Sequence, residues 1–113
     1  MVNSVLIAED HALTRHAICS VFTSQEDFEV CGDAENGREA VEMAQVLHPD
    51  LIVLDLSMPG MNGIRVAQAL RVRCPGCQIL ILSVHEDRAY LRQLMDLGVS
   101  GYVLSARPQK SSL

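Results

Sequence analysis

Apolar residues fall along the chain in two alternating rhythms. Short runs, Val5-Leu6-Ile7-Ala8, Leu51-Ile52-Val53-Leu54 and Ile79-Leu80-Ile81-Leu82, end abruptly at Glu9-Asp10, Asp55 and Ser83. Runs that are apolar at every position suit strands covered on both faces. They predict strands over Ser4 to Ala8, Leu51 to Asp55 and Gln78 to Ser83. Phe28 to Ala34 alternates weakly about Phe28, Val30 and Gly32 and predicts a strand nearer a sheet edge, and Gly101 to Leu104 predicts a fifth. Between these segments the spacing changes to three and four. Leu13, Ala17, Ile18, Val21 and Phe22 predict a helix over Ala12 to Thr23 that packs on one face. Asn36 with Glu39 resembles a capping box, and Ala40, Val41, Ala44 and Leu47 continue a helical stripe until Pro49 stops it. The turn-forming stretch from Ser57 to Gly63 precedes a third helix marked by Ile64, Ala67 and Leu70, which ends before Pro75-Gly76. A fourth helix, from about Asp87 to Leu97, is expected to bury Tyr90, Leu91, Leu94 and Met95, with Gly98 as its terminator.

Strands alternating with helices of about three turns imply right-handed crossovers and a parallel sheet with both faces covered, an α/β fold. After the fifth strand nine residues remain, Ser105 to Leu113, and they include Pro108. That is too short for a complete covering helix, so the last helix is expected to be truncated or missing. At 113 residues the chain reads as one domain, residues 1–113.

Composition narrows the function. Acidic residues outnumber basic ones by 14 to 9 for a net charge of −5, the wrong sign for phosphate-backbone binding by the domain. Aromatics are 4% and Trp is absent, which disfavours base stacking on aromatic platforms. No direct nucleic-acid contact is expected. Cys19, Cys31, Cys74 and Cys77 are too few and too irregular for a disulfide scaffold, and no secretory leader precedes them, so the compartment reads as cytoplasmic. No apolar run approaches the roughly 20 residues of a membrane span. Cys74-Pro75-Gly76-Cys77 has the spacing of half a zinc site, but a second ligand pair is absent and the segment reads as a plain turn.

The chemistry lies in the acids. Open parallel sheets bind ligands at the carboxyl ends of their strands, where crossovers diverge. If the first and third strands are neighbours, Glu9, Asp10 and Asp55 converge there, with Ser83 on the same rim. Carboxylates at close range oppose one another's ionisation, so such a cluster holds either a proton or a cation. A hard divalent ion such as Mg²⁺ suits the oxygen ligands. His11 and His85 are expected near this rim; the histidines otherwise form no metal triad.

The order Ala-Glu-Asp-His, Leu-Asp-Leu-Ser-Met-Pro-Gly-Met-Asn-Gly, Ile-Leu-Ser-Val-His-Glu-Asp and Gly-Val-Ser-Gly-Tyr-Val-Leu resembles a response-regulator receiver domain over essentially the whole chain. It is most similar to receivers fused to LuxR-type helix-turn-helix output domains. The resemblance implies a flavodoxin-like doubly wound sheet of order 2-1-3-4-5. It implies Asp55 as the residue that takes a phosphoryl group from a sensor histidine kinase. It further implies Mg²⁺ held by Glu9, Asp10, Asp55 and the backbone carbonyl of Ser57, with Ser83 as switch hydroxyl and Tyr102 as switch aromatic. Phosphorylation would then change a partner surface on the fourth helix and fifth strand, with homodimerisation as one outcome. Glu9 stands where an Asp is commoner in the family. Ser105 stands where the family places a lysine that bonds the phosphoryl oxygens, with Arg107 two residues on. That loss admits a second reading, a receiver-like interaction domain that is not phosphorylated. A hydrolase of phosphorylated small molecules would want an acid two residues after Asp55, and Ser57 is there. A nucleotide-binding role lacks a Gly-rich phosphate loop.

Overall fold

The computed structural model describes residues 2–56, 62–83 and 88–104. The chain runs β1 (Asn3–Ala8), α1 (Ala12–Thr23), β2 (Phe28–Ala34), α2 (Gly37–Leu47), β3 (Leu51–Asp55), α3 (Gly63–Arg73), β4 (Gln78–Ser83), α4 (Arg88–Asp96) and β5 (Gly101–Leu104). The five strands pair in parallel in the order β2-β1-β3-β4-β5. This is the doubly wound, flavodoxin-like α/β sheet expected from the pattern and the resemblance, with β2 on an edge. Among the described residues no helix follows β5. The turn over 57–61, the start of the fourth helix before Arg88 and the segment after Leu104 lie outside the described residues. No helix among the described residues is long and apolar enough to cross a membrane.

The apolar runs are continuous because alternate residues face opposite layers. Leu6, Ala8, Ile52, Leu54, Ile79 and Ile81 enter one core with Ala40 and Ala44 of α2, Val66 and Leu70 of α3, and Leu91 and Leu94 of α4. Val5, Ile7 and Val53 face the other layer, where Ile18, Cys19 and Phe22 of α1 cover them. Phe22 meets Phe28 edge to face, ring centroids 5.2 Å apart.

Two helices differ from their expected stripes. In α1, Leu13 is 81% exposed and Val21 62%, while Arg15 is buried among the inward residues. Arg15, Ile18, Cys19 and Phe22 share the i, i+3, i+4, i+7 face, and Leu13, Ala17 and Val21 form a separate outward row. In α4, Leu91 and Leu94 are buried as expected, but Met95, one residue round the helix from Leu94, is exposed and Tyr90 is half-buried.

Local chemistry sets the element ends. Asn36 caps α2 by accepting the Glu39 N–H at 2.8 Å, and the Glu39 carboxylate accepts the N–H of Glu35 at 2.9 Å, one residue earlier than a standard box would place it. Asn36→Ala should therefore lower stability by about 1 kcal/mol, read as a shifted urea midpoint with unchanged slope. His48 closes α2 in the left-handed region (φ 48°), before Pro49. A Cβ at Gly32 of β2 would lie 2.7 Å from Met43 Cε and 3.2 Å from Leu47 Cδ1, so a side chain there would displace the tips of those two α2 residues. The Cys74 to Cys77 segment is a turn, with the Cys77 N–H donating to the Cys74 carbonyl at 3.2 Å. Both thiols are free and buried, and burial together with Cys74 pushes the Cys77 thiol up to about 12. Arg71 pins this end of the sheet by donating to the carbonyls of Pro75, Cys77 and Gly98 at 2.8, 2.9 and 3.0 Å.

Candidate functional site

The carboxyl end of the sheet gathers the acids. Ala8 pairs with Leu54, so the next residue of each strand, Glu9 and Asp55, face one another across the β1/β3 junction. That junction is the switch point of the sheet, since α1 leaves β1 on one face and the helix after β3 packs on the other. Glu9 is 4% exposed, Asp55 6% and Ser83 2%. Asp55 pairs with Leu82, the residue before Ser83, so Ser83 stands on the same rim one strand over.

Glu9 is held at three points. Its N–H donates to the Ala34 carbonyl at 3.0 Å, its carboxylate Oε2 accepts the His11 N–H at 2.9 Å, and its carbonyl accepts from Arg15 Nη1 at 2.9 Å. Its carboxyl also hydrogen-bonds that of Asp55. Burial first, then that bond to Asp55, raise its proton affinity against the opposing His11 N–H, and its pKa is pushed up to about 8. The negative charge of Asp55 and a hydrogen bond with Asp10 act in the same direction. At neutral pH the Glu9 carboxyl therefore keeps its proton unless a cation joins the two acids. Glu9, half-buried Asp10 and exposed His11 also bring possible ligand atoms within 4.8 Å of one another. The donor set around Glu9, Asp10 and Asp55 is hard oxygen, which fits Mg²⁺.

The remaining expected site residues fall in different places. Tyr102 pairs with Ile81 on edge strand β5, two residues back from the strand end, and is 45% exposed. Ser57, His85, Ser105 and Arg107 lie outside the described residues. Gly63 opens α3, and a Cβ there would lie 2.5 Å from Leu56 Cδ2 and 2.6 Å from Tyr90 Oη. The absence of a side chain lets α4 close over the start of α3, just beyond β3. Arg15 is the residue that sequence reasoning passed over. Its signal was present in the spacing to Ile18 and Phe22, which places a charged side chain on the inward face.

Residues 5–109 match the response regulator receiver domain family. The chain belongs to that family. The receiver domain is 36% identical over 100 residues to the transcriptional regulatory protein DegU of Brevibacillus brevis, covering 88% of this chain and 42% of that protein. It is 35% identical over 101 residues to the nitrate/nitrite response regulator protein NarL of Escherichia coli K12, covering 89% of this chain and 47% of that one. The chain thus spans about half the length of these curated relatives. Its fold superposes on the isolated REC domain of RcsB from Salmonella enterica serovar Typhimurium, solved in the presence of phosphomimetic BeF₃⁻, with a TM-score of 0.86 and 26% identity, covering 96% of this chain and 82% of that one.

Proposed function

We propose that this receiver domain accepts a phosphoryl group on Asp55 from a phosphohistidine of a sensor histidine kinase, and that the phosphorylated form switches the surface around α4 and β5 to control a transcriptional output domain. The observation that carries this reading is the convergence of buried Glu9 and Asp55 at the switch point of the sheet. Asp55 supplies the attacking carboxylate oxygen. An O–P bond forms as the N–P bond of the phosphohistidine breaks, and the electron pair returns to the imidazole nitrogen. Glu9 and Asp10, with the carbonyl of Ser57, would hold Mg²⁺, which supplies neutralisation of the phosphoryl oxygens. Glu9 orients the rim through its contact with Asp55, and its anchored backbone keeps that contact in place. Ser83, one strand over, offers a hydroxyl to the phosphoryl group, and Tyr102 on β5 follows its movement. Transcriptional regulatory proteins among the relatives and the phosphomimetic used with RcsB support the same reading.

Ser105, in the position of the family lysine, gives the phosphoryl group a neutral partner at most. The bond forgone is worth about 1.5 to 3 kcal/mol, so the serine is expected to weaken the link between phosphorylation and switching more than it weakens metal binding. Incubation with acetyl phosphate and Mg²⁺ should add the mass of one phosphoryl group, and Asp55→Asn should abolish the gain. Labelling that persists in Asp55→Asn would overturn the assignment. A wild-type chain that is never labelled would favour the unphosphorylated interaction domain.

A further inference from the structure

We propose that Arg15 is a positioning residue for the acidic site, fixing the peptide between Glu9 and Asp10 in the orientation that a divalent cation requires. The proposal rests on the metal-site reading above.

The chain must turn from β1 into α1 within the three residues Glu9 to His11. His11 stands at the N-cap of α1 with no side-chain capping bond, and its N–H closes the turn by donating to Glu9 Oε2 at 2.9 Å. The Glu9 N–H is still anchored to β2 through the Ala34 carbonyl. Beyond it, the carbonyl of Glu9 is the oxygen of the peptide that joins the two acids. Its direction sets the plane of that peptide and hence the directions in which the Glu9 and Asp10 side chains leave the backbone. Arg15 Nη1 donates to this oxygen at 2.9 Å from the buried face of α1, six residues further along the chain.

On its other side the guanidinium lies within ion-pair range of two carboxylates. Nε lies 4.0 Å from Asp33 Oδ1, and Nη2 lies 3.9 Å from Glu35 Oε1, on carboxylates at and just beyond the end of β2. One rigid planar fork thus spans the turn after β1 and the end of β2, which an ammonium on a flexible stem does less well. The arrangement is expensive for the fold. The side chain is 10% exposed, and Nε is buried with no hydrogen-bond partner among the described residues. An apolar residue packs at such an inward helix position without that desolvation cost, as Ile18 and Phe22 do on the same face. The groups that set the proton affinity of Glu9 are its burial, Asp55, Asp10 and the His11 N–H. Arg15, bonded to the Glu9 carbonyl, acts on backbone geometry, as a partner behind the ligands. Partners of that kind typically change metal affinity by 10- to 100-fold when removed.

The test is Mg²⁺ titration of the 113-residue chain, followed at the backbone amide resonances of Glu9, Asp10 and His11, well below the unfolding temperature of each variant. Arg15→Met should raise the Kd for Mg²⁺ by about 10-fold or more. Arg15→Gln is too short to reach the Glu9 carbonyl and should lose affinity to the same extent, which keeps the test open if the methionine variant does not fold. Arg15→Lys, which keeps one donor and the charge, should recover part of the affinity. Lower thermal stability with wild-type Mg²⁺ affinity in the folded Met or Gln variant would make Arg15 purely structural and overturn the proposal alone. A wild-type chain whose rim resonances ignore Mg²⁺ would overturn the metal-site reading and this proposal with it.

Discussion

In metal-free buffer the folded chain should become less stable as the pH rises from about 4.5 to about 8, and Glu9→Gln should flatten that slope. Glu9 binds its proton up to about pH 8 when folded, against an ordinary value of 4.5 when the chain is unfolded. Between those values the native state holds more protons than the unfolded state, so stability falls with rising pH. The contribution is fully present below the unfolded value and is lost as the pH passes through the folded one. A shift of this size on a buried, paired carboxyl corresponds to roughly 2 to 4 kcal/mol of pH-dependent stability. Urea denaturation of wild type and Glu9→Gln at pH 5 and pH 8, without divalent ions, measures it as a difference of differences. The glutamine variant should be the more stable of the two at pH 8. Added Mg²⁺ should raise the wild type at pH 8 and leave Glu9→Gln much less affected, because a cation relieves the repulsion that the proton otherwise relieves. Equal pH slopes in the two proteins would mean that the Glu9–Asp55 contact is absent in solution.

Leu54→Ala should cost about 2 to 5 kcal/mol, a large fraction of the 5 to 15 kcal/mol that separates a typical small domain from its unfolded chain. Leu54 has no exposed surface, lies in central strand β3, and directly precedes Asp55. Its removal leaves a cavity that neighbouring strands on either side prevent from closing. Leu13→Ala, also an aliphatic truncation, should change stability by no more than about 0.5 kcal/mol, because Leu13 projects into solvent from α1. Urea midpoints for the pair measure the contrast. Comparable losses in both would place Leu13 in a core contact that the fold does not contain.

That contrast marks where the sequence was legible and where it was not. β1, β3 and β4 could be read directly because both faces of a central strand are covered, leaving an unbroken apolar run with a polar residue at its end. α1 was harder because its apolar residues lie on both sides. Ile18 and Phe22 meet the sheet while Leu13 and Val21 do not, and spacing alone joins them into one stripe. Arg15 was hidden by its charge, since a guanidinium on a helix is ordinarily read as solvated. For the site, strand ends named Glu9, Asp55 and Ser83 as candidates, and the resemblance gave them roles. Their contact depends on register, Ala8 opposite Leu54, which no local pattern encodes. The displaced proton affinity of Glu9 depends in turn on that contact and on burial.

The strand order also divides the rim between separate pairings. β1 lies between β2 and β3, so the register of β1 against β3 sets Glu9 beside Asp55, while β4 and then β5 extend the sheet from the other side of β3. Ser83 and Tyr102 belong to that extension. A slip of one residue between β3 and β4 would turn the side chains of β4 to the opposite face and carry Ser83 off the rim, yet leave the two acids opposed. The charged part of the rim and its hydroxyl are held in place by different hydrogen-bond ladders.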